Sequence, residues 1–234
     1  MVNVKAEITD IFSSIQGEGI FLGAKQIFVR FKRCNLDCVF CDESKDAVAG
    51  EYGTAELMKE IKALELSEGP HHSVSFTGGE PLLYWDFLKV FLKMLKRARF
   101  KSYLETNGTL PYELSKIIDL VDIVAMDFKL PSSTGGRAYW HEHSDFLKIA
   151  SKKKVFVKAV VTRDTRKEDM EKAIRLITGA RRKVPFILQP ASPVRPGEKP
   201  IDHGRLRSFL DIGLKSDIVN MRVIPQIHKI LKVK

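Results

Sequence analysis

All three cysteines of the chain fall inside one stretch, RCNLDCVFCD, as Cys34, Cys38 and Cys41. Three residues separate the first pair and two the second, a spacing that lets one loop aim three thiolates at a single centre. Thiolate is a soft ligand suited to zinc or to iron–sulfur clusters. A closed structural zinc site takes four protein ligands, and a four-iron cluster usually has four cysteines. With three thiols, one metal position is left for another donor. Two outcomes stay open: a three-cysteine zinc site completed by His71, His72 or Asp42, or a four-iron cluster with one iron free to bind a ligand.

Other polar residues punctuate the chain where apolar runs end. In Thr77-Gly78-Gly79-Glu80-Pro81, the glycines allow a backbone to approach a ligand closely, and Glu80 can accept hydrogen bonds from an ammonium. Taken alone, Gly-Gly before proline is an ordinary turn. Glu105-Thr106-Asn107-Gly108, Lys129 and Gln189 follow later apolar runs. His141 and His143 flank Glu142, but two residues apart on a helix they point different ways, which reads as a solvated helix start rather than a metal site. Walker, Rossmann and nucleophile-elbow motifs are absent.

The elements that must hold these residues alternate. Apolar runs predict strands at 26–33, 73–76, 102–104, 122–126, 155–161, 186–189 and 221–224. Helical spacing predicts helices at 54–66 (with Thr54 as cap), 84–97, 112–118, 167–177 and 201–211. Strand and helix in turn, with short connections, argue for a parallel sheet in an α/β fold. About six β/α units are visible, fewer than the eight of a closed barrel, so the expectation is an incomplete (β/α) barrel. There is no internal repeat, and the linker-like ASPVRPGEKP lies within the pattern, so residues 1–234 are read as one domain. In such sheets chemistry collects at the C-terminal strand ends. The cysteine loop falls there, after the first predicted strand, as do TGGEP, ETNGT, Lys129 and Gln189.

Composition limits the setting. The chain has 234 residues, 44% of them hydrophobic and 29% charged, enough for a sizeable core. No apolar run approaches the roughly 20 residues that span a bilayer, and the N-terminus lacks a secretion signal. This reads as a cytoplasmic protein with no membrane partner, whose thiols stay reduced. The net charge of +10 is spread over helices and termini without an RNA-binding signature. It predicts solvated helix faces and a general attraction for anionic small molecules rather than direct nucleic-acid binding.

The cysteine spacing, with Phe40 just before the last cysteine, resembles the signature of radical S-adenosylmethionine (SAM) enzymes. The resemblance implies a four-iron four-sulfur cluster on Cys34, Cys38 and Cys41, with SAM chelating the open iron. It implies cleavage of SAM to methionine and a 5′-deoxyadenosyl radical that takes a substrate hydrogen. The same family holds SAM with a GGEP loop, here Gly78, Gly79 and Glu80. By the same resemblance Phe40, Asn107, Lys129 and Gln189 are cofactor contacts.

The stretches Ser14-Ile15-Gln16-Gly17-Glu18-Gly19, Phe28-Val29-Arg30-Phe31, Leu130-Pro131-Ser132-Ser133 and Pro225-Gln226-Ile227-His228-Lys229 are similar to the 7-carboxy-7-deazaguanine synthase family. These blocks cover nearly the whole chain. They imply a carbon–nitrogen lyase that contracts the ring of 6-carboxy-5,6,7,8-tetrahydropterin to 7-carboxy-7-deazaguanine with loss of ammonia, on the route to queuosine or archaeosine. Gln16, Glu18, Arg30, Thr77 and His228 match substrate positions. An N-terminal extension (1–25) and a C-terminal tail (219–234) would then join the substrate site. The family also implies magnesium, a homodimer, and an electron donor such as flavodoxin or ferredoxin. Two departures stand out: Glu43 occupies the position where the family commonly has a threonine that helps hold magnesium, and Asp127-Phe128-Lys129 stands where some members have Ser-Pro-Lys. Two other classes remain in play. A short activase making a glycyl radical on a protein partner would share the cysteine loop and GGEP, and a zinc- or RNA-binding module would use only thiols and charge.

Overall fold

Runs rich in Val, Ile and Phe form strands, and helices with one apolar stripe bring the chain back to lay the next strand alongside. The computed structural model describes residues 4–233 apart from 45, 181–182, 194–196, 198, 217 and 219. It opens with β1 (Lys5–Ile15), β2 (Lys25–Phe31) and β3 (Gly50–Gly53), followed by α1 (Thr54–Glu68). Then come β4 (Ser73–Gly78), α2 (Trp85–Arg97), β5 (Ser102–Thr106), α3 (Pro111–Ile117) and β6 (Ile123–Asp127). A short α4 (Pro131–Thr134) and α5 (Trp140–Ala150) lead to β7 (Lys154–Val161), α6 (Lys167–Thr178) and β8 (Phe186–Pro190). The chain closes with α7 (His203–Lys215), β9 (Met221–Val223) and α8 (Ile227–Leu231).

The strands form one sheet in the order β3-β1-β2-β4-β5-β6-β7-β8-β9. From β2 to β9 the neighbours run parallel, while β1 is antiparallel to both β2 and β3. Six units recur, each strand followed by its crossover helix: β2–α1, β4–α2, β5–α3, β6–α5, β7–α6 and β8–α7. The edges, β3 and β9, do not meet. The expected incomplete barrel is therefore an open sheet. Among the described residues no helix is long and apolar enough to cross a membrane.

Two strands escaped the sequence. β1 lies in the N-terminal extension, where no strand is predicted: Asp10, Ser13 and Ser14 interrupt its apolar positions, yet Ala6 and Ile8 alternate into the core. β3, with glycine at both ends, carries no strand pattern at all. The cysteine loop consequently follows the second strand, the first of the parallel set. Thr54 also proves to be the first helical residue of α1, with Gly53 as the cap.

The two faces of the sheet explain where the site lies. Outward residues pack on the helices. In α2, Phe87, Leu88, Phe91, Leu92 and Leu95 are buried at helical spacing, and Phe91 meets Phe76 of β4 edge-on at 5.9 Å. Inward residues alternate with these, two apart along each strand. The first inward layer is apolar: Tyr103, Ile123, Ala125, Phe156 and Ile187, capped by Ile20 and Phe21. Two residues further along the same strands the layer turns polar: Glu105, Asp127, Lys158 and Gln189. Arg30 and Thr77, register neighbours on β2 and β4, sit at the same end.

Candidate active site

That polar layer is wired together. Glu105 accepts hydrogen bonds from Gln16 Nε2 (2.8 Å), Ser75 Oγ (2.9 Å) and Thr77 Oγ1 (3.2 Å). Gln16 also donates to Gln26 and accepts from the Glu18 backbone N–H through Oε1. Beside it Glu18 contacts the ammonium of Lys158 and accepts from Gln226 Nε2 at 2.9 Å. Burial alone would push the Glu18 carboxyl up, but Lys158, with Gln226 and His228, brings it down to about 2. Asp127 takes a 2.9 Å bond from Lys129 and lies 3.9 Å from Lys158. Three buried polar atoms at this end of the sheet, Arg30 Nε, Asp127 Oδ1 and Gln189 Oε1, have no partner. Orphans of that kind are uncommon in a core and mark a place where a ligand can bind.

The GGEP turn is shaped by close approach. Gly78 has φ +100, and a Cβ on Gly79 would come 2.2 Å from the Arg33 carbonyl oxygen, so neither position tolerates a side chain. Glu80, fully buried, accepts from Leu82 N (3.0 Å), Thr106 Oγ1 (2.9 Å) and Asn107 N (2.7 Å). Burial outweighs these bonds and raises its carboxyl to about 7. Asn107 in turn donates to Asn35 Oδ1 at 2.8 Å, tying the β5 end to the cysteine loop.

That loop is anchored from its flanks. Glu80 N donates to Arg33 O at 2.7 Å, and Val39 N donates to Thr134 O at 3.1 Å. Lys129 Nζ lies 5.4 Å from the Phe40 ring. Cys34 and Cys41 are exposed and Cys38 half-buried, all three as free thiols. Burial pushes the Cys38 thiol up to about 11 and that of Cys34 upward too, so a metal would bind by displacing protons. Among the described residues no three His, Cys, Asp or Glu side chains already converge as a metal site. The donor set still fits a cluster with one open iron: three reachable soft ligands on one loop, no fourth, and orphaned polar atoms on the strand ends beside it. Zinc completion fits worse. His71 and His72 precede β4, at the opposite end of that strand from GGEP, and His71 is held by Ser13 (2.8 Å) and Glu65 (2.6 Å). Asp42 is paired with Lys229 at 2.5 Å.

The tail closes over the N-terminal block. Besides Gln226–Glu18, Ile227 N donates to Gly17 O at 3.0 Å, and the His228 ring lies where a Gly17 Cβ would be, 2.1 Å from Nδ1. Gly17→Ala is expected to lift the tail off, lowering turnover at least tenfold with raised KM for the substrate, while the melting temperature falls by only a few degrees because α8 has no buried residue. Steady-state kinetics beside a thermal melt checks this.

The structure thus brings together Gln16, Glu18, Thr77, Arg30 and His228 on one side and Phe40, Gly78, Gly79, Glu80, Asn107 and Lys129 beside the cysteines, with Gln189 one residue before the end of β8. Glu43 pairs with Arg30 at 2.5 Å, yet burial, with Asp42 and Glu105 nearby, raises its carboxyl. Four participants were missed as site residues: Glu105, Asp127, Lys158 and Gln226. One expectation is corrected. His143 is not solvated but fully buried, stacked on Phe128 at 4.8 Å with its Nε2 3.2 Å from Asn107 O, and burial lowers its imidazole to about 4. The neighbouring His141 does lie at the surface.

The model of the Radical SAM superfamily matches residues 28–184, and the chain belongs to that superfamily. Within it, the chain is 35% identical over 247 residues to the 7-carboxy-7-deazaguanine synthase of Geobacter sulfurreducens, covering 97% of each. It is 33% identical to that of Thermoplasma acidophilum, with 96% of each chain covered. The chain is a member of the 7-carboxy-7-deazaguanine synthase family. The fold agrees: the crystal structure of QueE from Escherichia coli superposes with a TM-score of 0.64 at 19% identity, covering 95% of this chain and 94% of that one. A radical SAM methyltransferase from Sphaerobacter thermophilus gives 0.63 at 14% identity, over 86% of this chain and 66% of that one.

Proposed function

We propose that this chain converts 6-carboxy-5,6,7,8-tetrahydropterin to 7-carboxy-7-deazaguanine with loss of ammonia, as a radical SAM carbon–nitrogen lyase. The observation that carries the reading is the Glu18–Gln226 contact, 208 residues apart in sequence. The QGEG and PQIHK blocks, which have no job in an activase, meet beside the cysteine loop and build a cradle. Once bound to Cys34, Cys38 and Cys41, a cluster would supply the electron that turns SAM into a hydrogen-abstracting radical.

The chain's own residues supply orientation and exclusion of water. Glu18, ionised, suits the guanidine-like edge of a pterin, since a carboxylate accepts two parallel N–H bonds. Gln16 and Thr77, both bound to Glu105, form the cradle's floor, and His228 its cover. Arg30 would take the substrate carboxylate through its planar fork, exchanging Glu43 for it. Glu43, so released, would be free to hold magnesium, with Thr77 nearby. On the cofactor side Glu80 would hold the methionine ammonium, with Gly78 and Gly79 admitting its backbone. Asn107, Lys129, Gln189 and Phe40 would line the rest. We treat 1–234 as one domain whose extension (1–25) and tail (219–234) complete the substrate site. We place it in the cytoplasm, as a homodimer fed by a flavodoxin or ferredoxin, on the path to a 7-deazapurine of transfer RNA.

The test is anaerobic incubation of iron–sulfur-reconstituted protein with the carboxytetrahydropterin, SAM, magnesium and reductant, followed by mass detection. A product of the mass of the deazaguanine acid is expected. Cleavage of SAM without that product would reject the assignment.

A further inference from the structure

Lys158 has no part in the roles above, yet it stands at the centre of the site's charges. It lies on the inward face of β7, two residues beyond Phe156. Its ammonium contacts Glu18 and lies 3.9 Å from Asp127, which also bonds Lys129. Both Lys158 and Glu18 side chains are only 15% exposed. Four side chains of alternating sign, Glu18, Lys158, Asp127 and Lys129, thus run from the N-terminal block to the Phe40 ring of the cysteine loop. Enclosing a lysine this far costs desolvation energy that only well-placed carboxylates offset.

We infer that Lys158 is a positioning residue of the substrate site, fixing Glu18 as an ionised, oriented acceptor for the guanidine-like edge of the pterin and tying it through Asp127 to Lys129. This rests on the reading of Glu18 given above. The two Glu18 oxygens are divided: Oε1 takes Gln226 and Oε2 takes Lys158. A carboxylate has about four lone-pair sites, so each oxygen keeps one for an incoming N–H while its plane is held.

Without the ammonium, Glu18 would face the carboxylates of Asp127 on β6, Glu105 on β5 and Asp42 on the cysteine loop, with the Tyr103 phenol of β5 below. His228 on α8 would be the nearest remaining basic group. That surrounding favours a protonated carboxyl, which offers a donor where the pterin edge needs an acceptor. Losing Lys158 should therefore introduce a pH dependence into substrate binding that the wild type lacks.

The experiment is anaerobic calorimetry of the carboxytetrahydropterin binding to cluster-loaded, SAM-bound enzyme without reductant, from pH 6 to 8. Lys158→Met is expected to weaken binding about tenfold or more at pH 7, and further as pH falls. Lys158→Arg should restore the wild-type profile. Glu18→Gln should bind weakly at every pH, and adding Lys158→Met to it should change nothing more, because the lysine acts through Glu18. The double variant removes both charges and stays informative should the single Lys158→Met fail to fold. Weak binding by Glu18→Gln with wild-type affinity and a flat profile in Lys158→Met would overturn the inference alone. So would a further loss in the double variant. Wild-type binding by Glu18→Gln would instead remove the role assigned to Glu18, and the inference with it.

Discussion

Cys38→Ala is expected to give a folded, colourless protein that cleaves no SAM. The loop does not depend on the sulfur for its shape. Backbone bonds at Arg33 O and Val39 N hold it, and the GGEP turn packs against its start. Removing a half-buried thiol therefore costs little stability, and the melting temperature should stay within a few degrees of wild type. Chemistry is another matter. With no spare cysteine in the chain, two thiolates cannot hold a four-iron cluster with one open corner. Iron analysis after anaerobic reconstitution should fall from about four per chain to near zero. Four irons with undiminished cleavage in the variant would show that another residue ligates in place of Cys38.

The second large effect concerns pH and Glu80. Its carboxyl titrates near 7 in the fold against an ordinary 4.5, so the folded state holds the proton more tightly than the unfolded chain. The stability this gives is fully present below about pH 4.5 and is lost as pH rises through 7, a change of roughly 3 kcal/mol across that window. An ammonium placed against Glu80 selects the carboxylate. Cofactor affinity should accordingly rise by about tenfold per pH unit from 6 and level off above 7. Glu80→Gln should flatten the profile and bind weakly throughout. It also sets an amide N–H against Asn107 N, whose bond to Glu80 Oε2 is lost, for a further cost of about 1–3 kcal/mol. Calorimetry between pH 6 and 8 reads the slope, and a flat wild-type profile would place the ammonium elsewhere.

Much of this site was legible because its signals are local. Three thiols in one loop, two glycines before Glu80, and polar residues ending apolar runs all depend on near neighbours in sequence. Lys158 and Asp127 were not legible as a pair. Each is a single charged residue in a strand, and an inward-facing one looks the same in sequence as one on an exposed edge. Only the register that lays β6 beside β7, with Asp127 opposite Lys158, shows that they share an interior. Gln226 was hidden by distance, since nothing local announces a partner at residue 18. His143 is different, because the signal was there. It shares the apolar spacing of Phe146, Leu147 and Ala150 on α5, and weighing that stripe would have buried it. β1 failed for the opposite reason: its strand character comes from two flanking partners rather than from its own pattern.

The meeting of Glu18 with Gln226 also sets an order of events in the cell. A sheet assembled from β/α units can begin to form as the chain emerges, but the proposed substrate cradle lacks its cover until the residues of α8 have been made. Under that reading catalytic competence is withheld until α8 has been made, and a chain cut short before residue 226 would be a folded open sheet with an unguarded site. The same geometry makes two places in the fold unequal for the engineer: bulk inserted into α8 would press on the proposed cradle, whereas the start of β1 pairs with the edge strand β3.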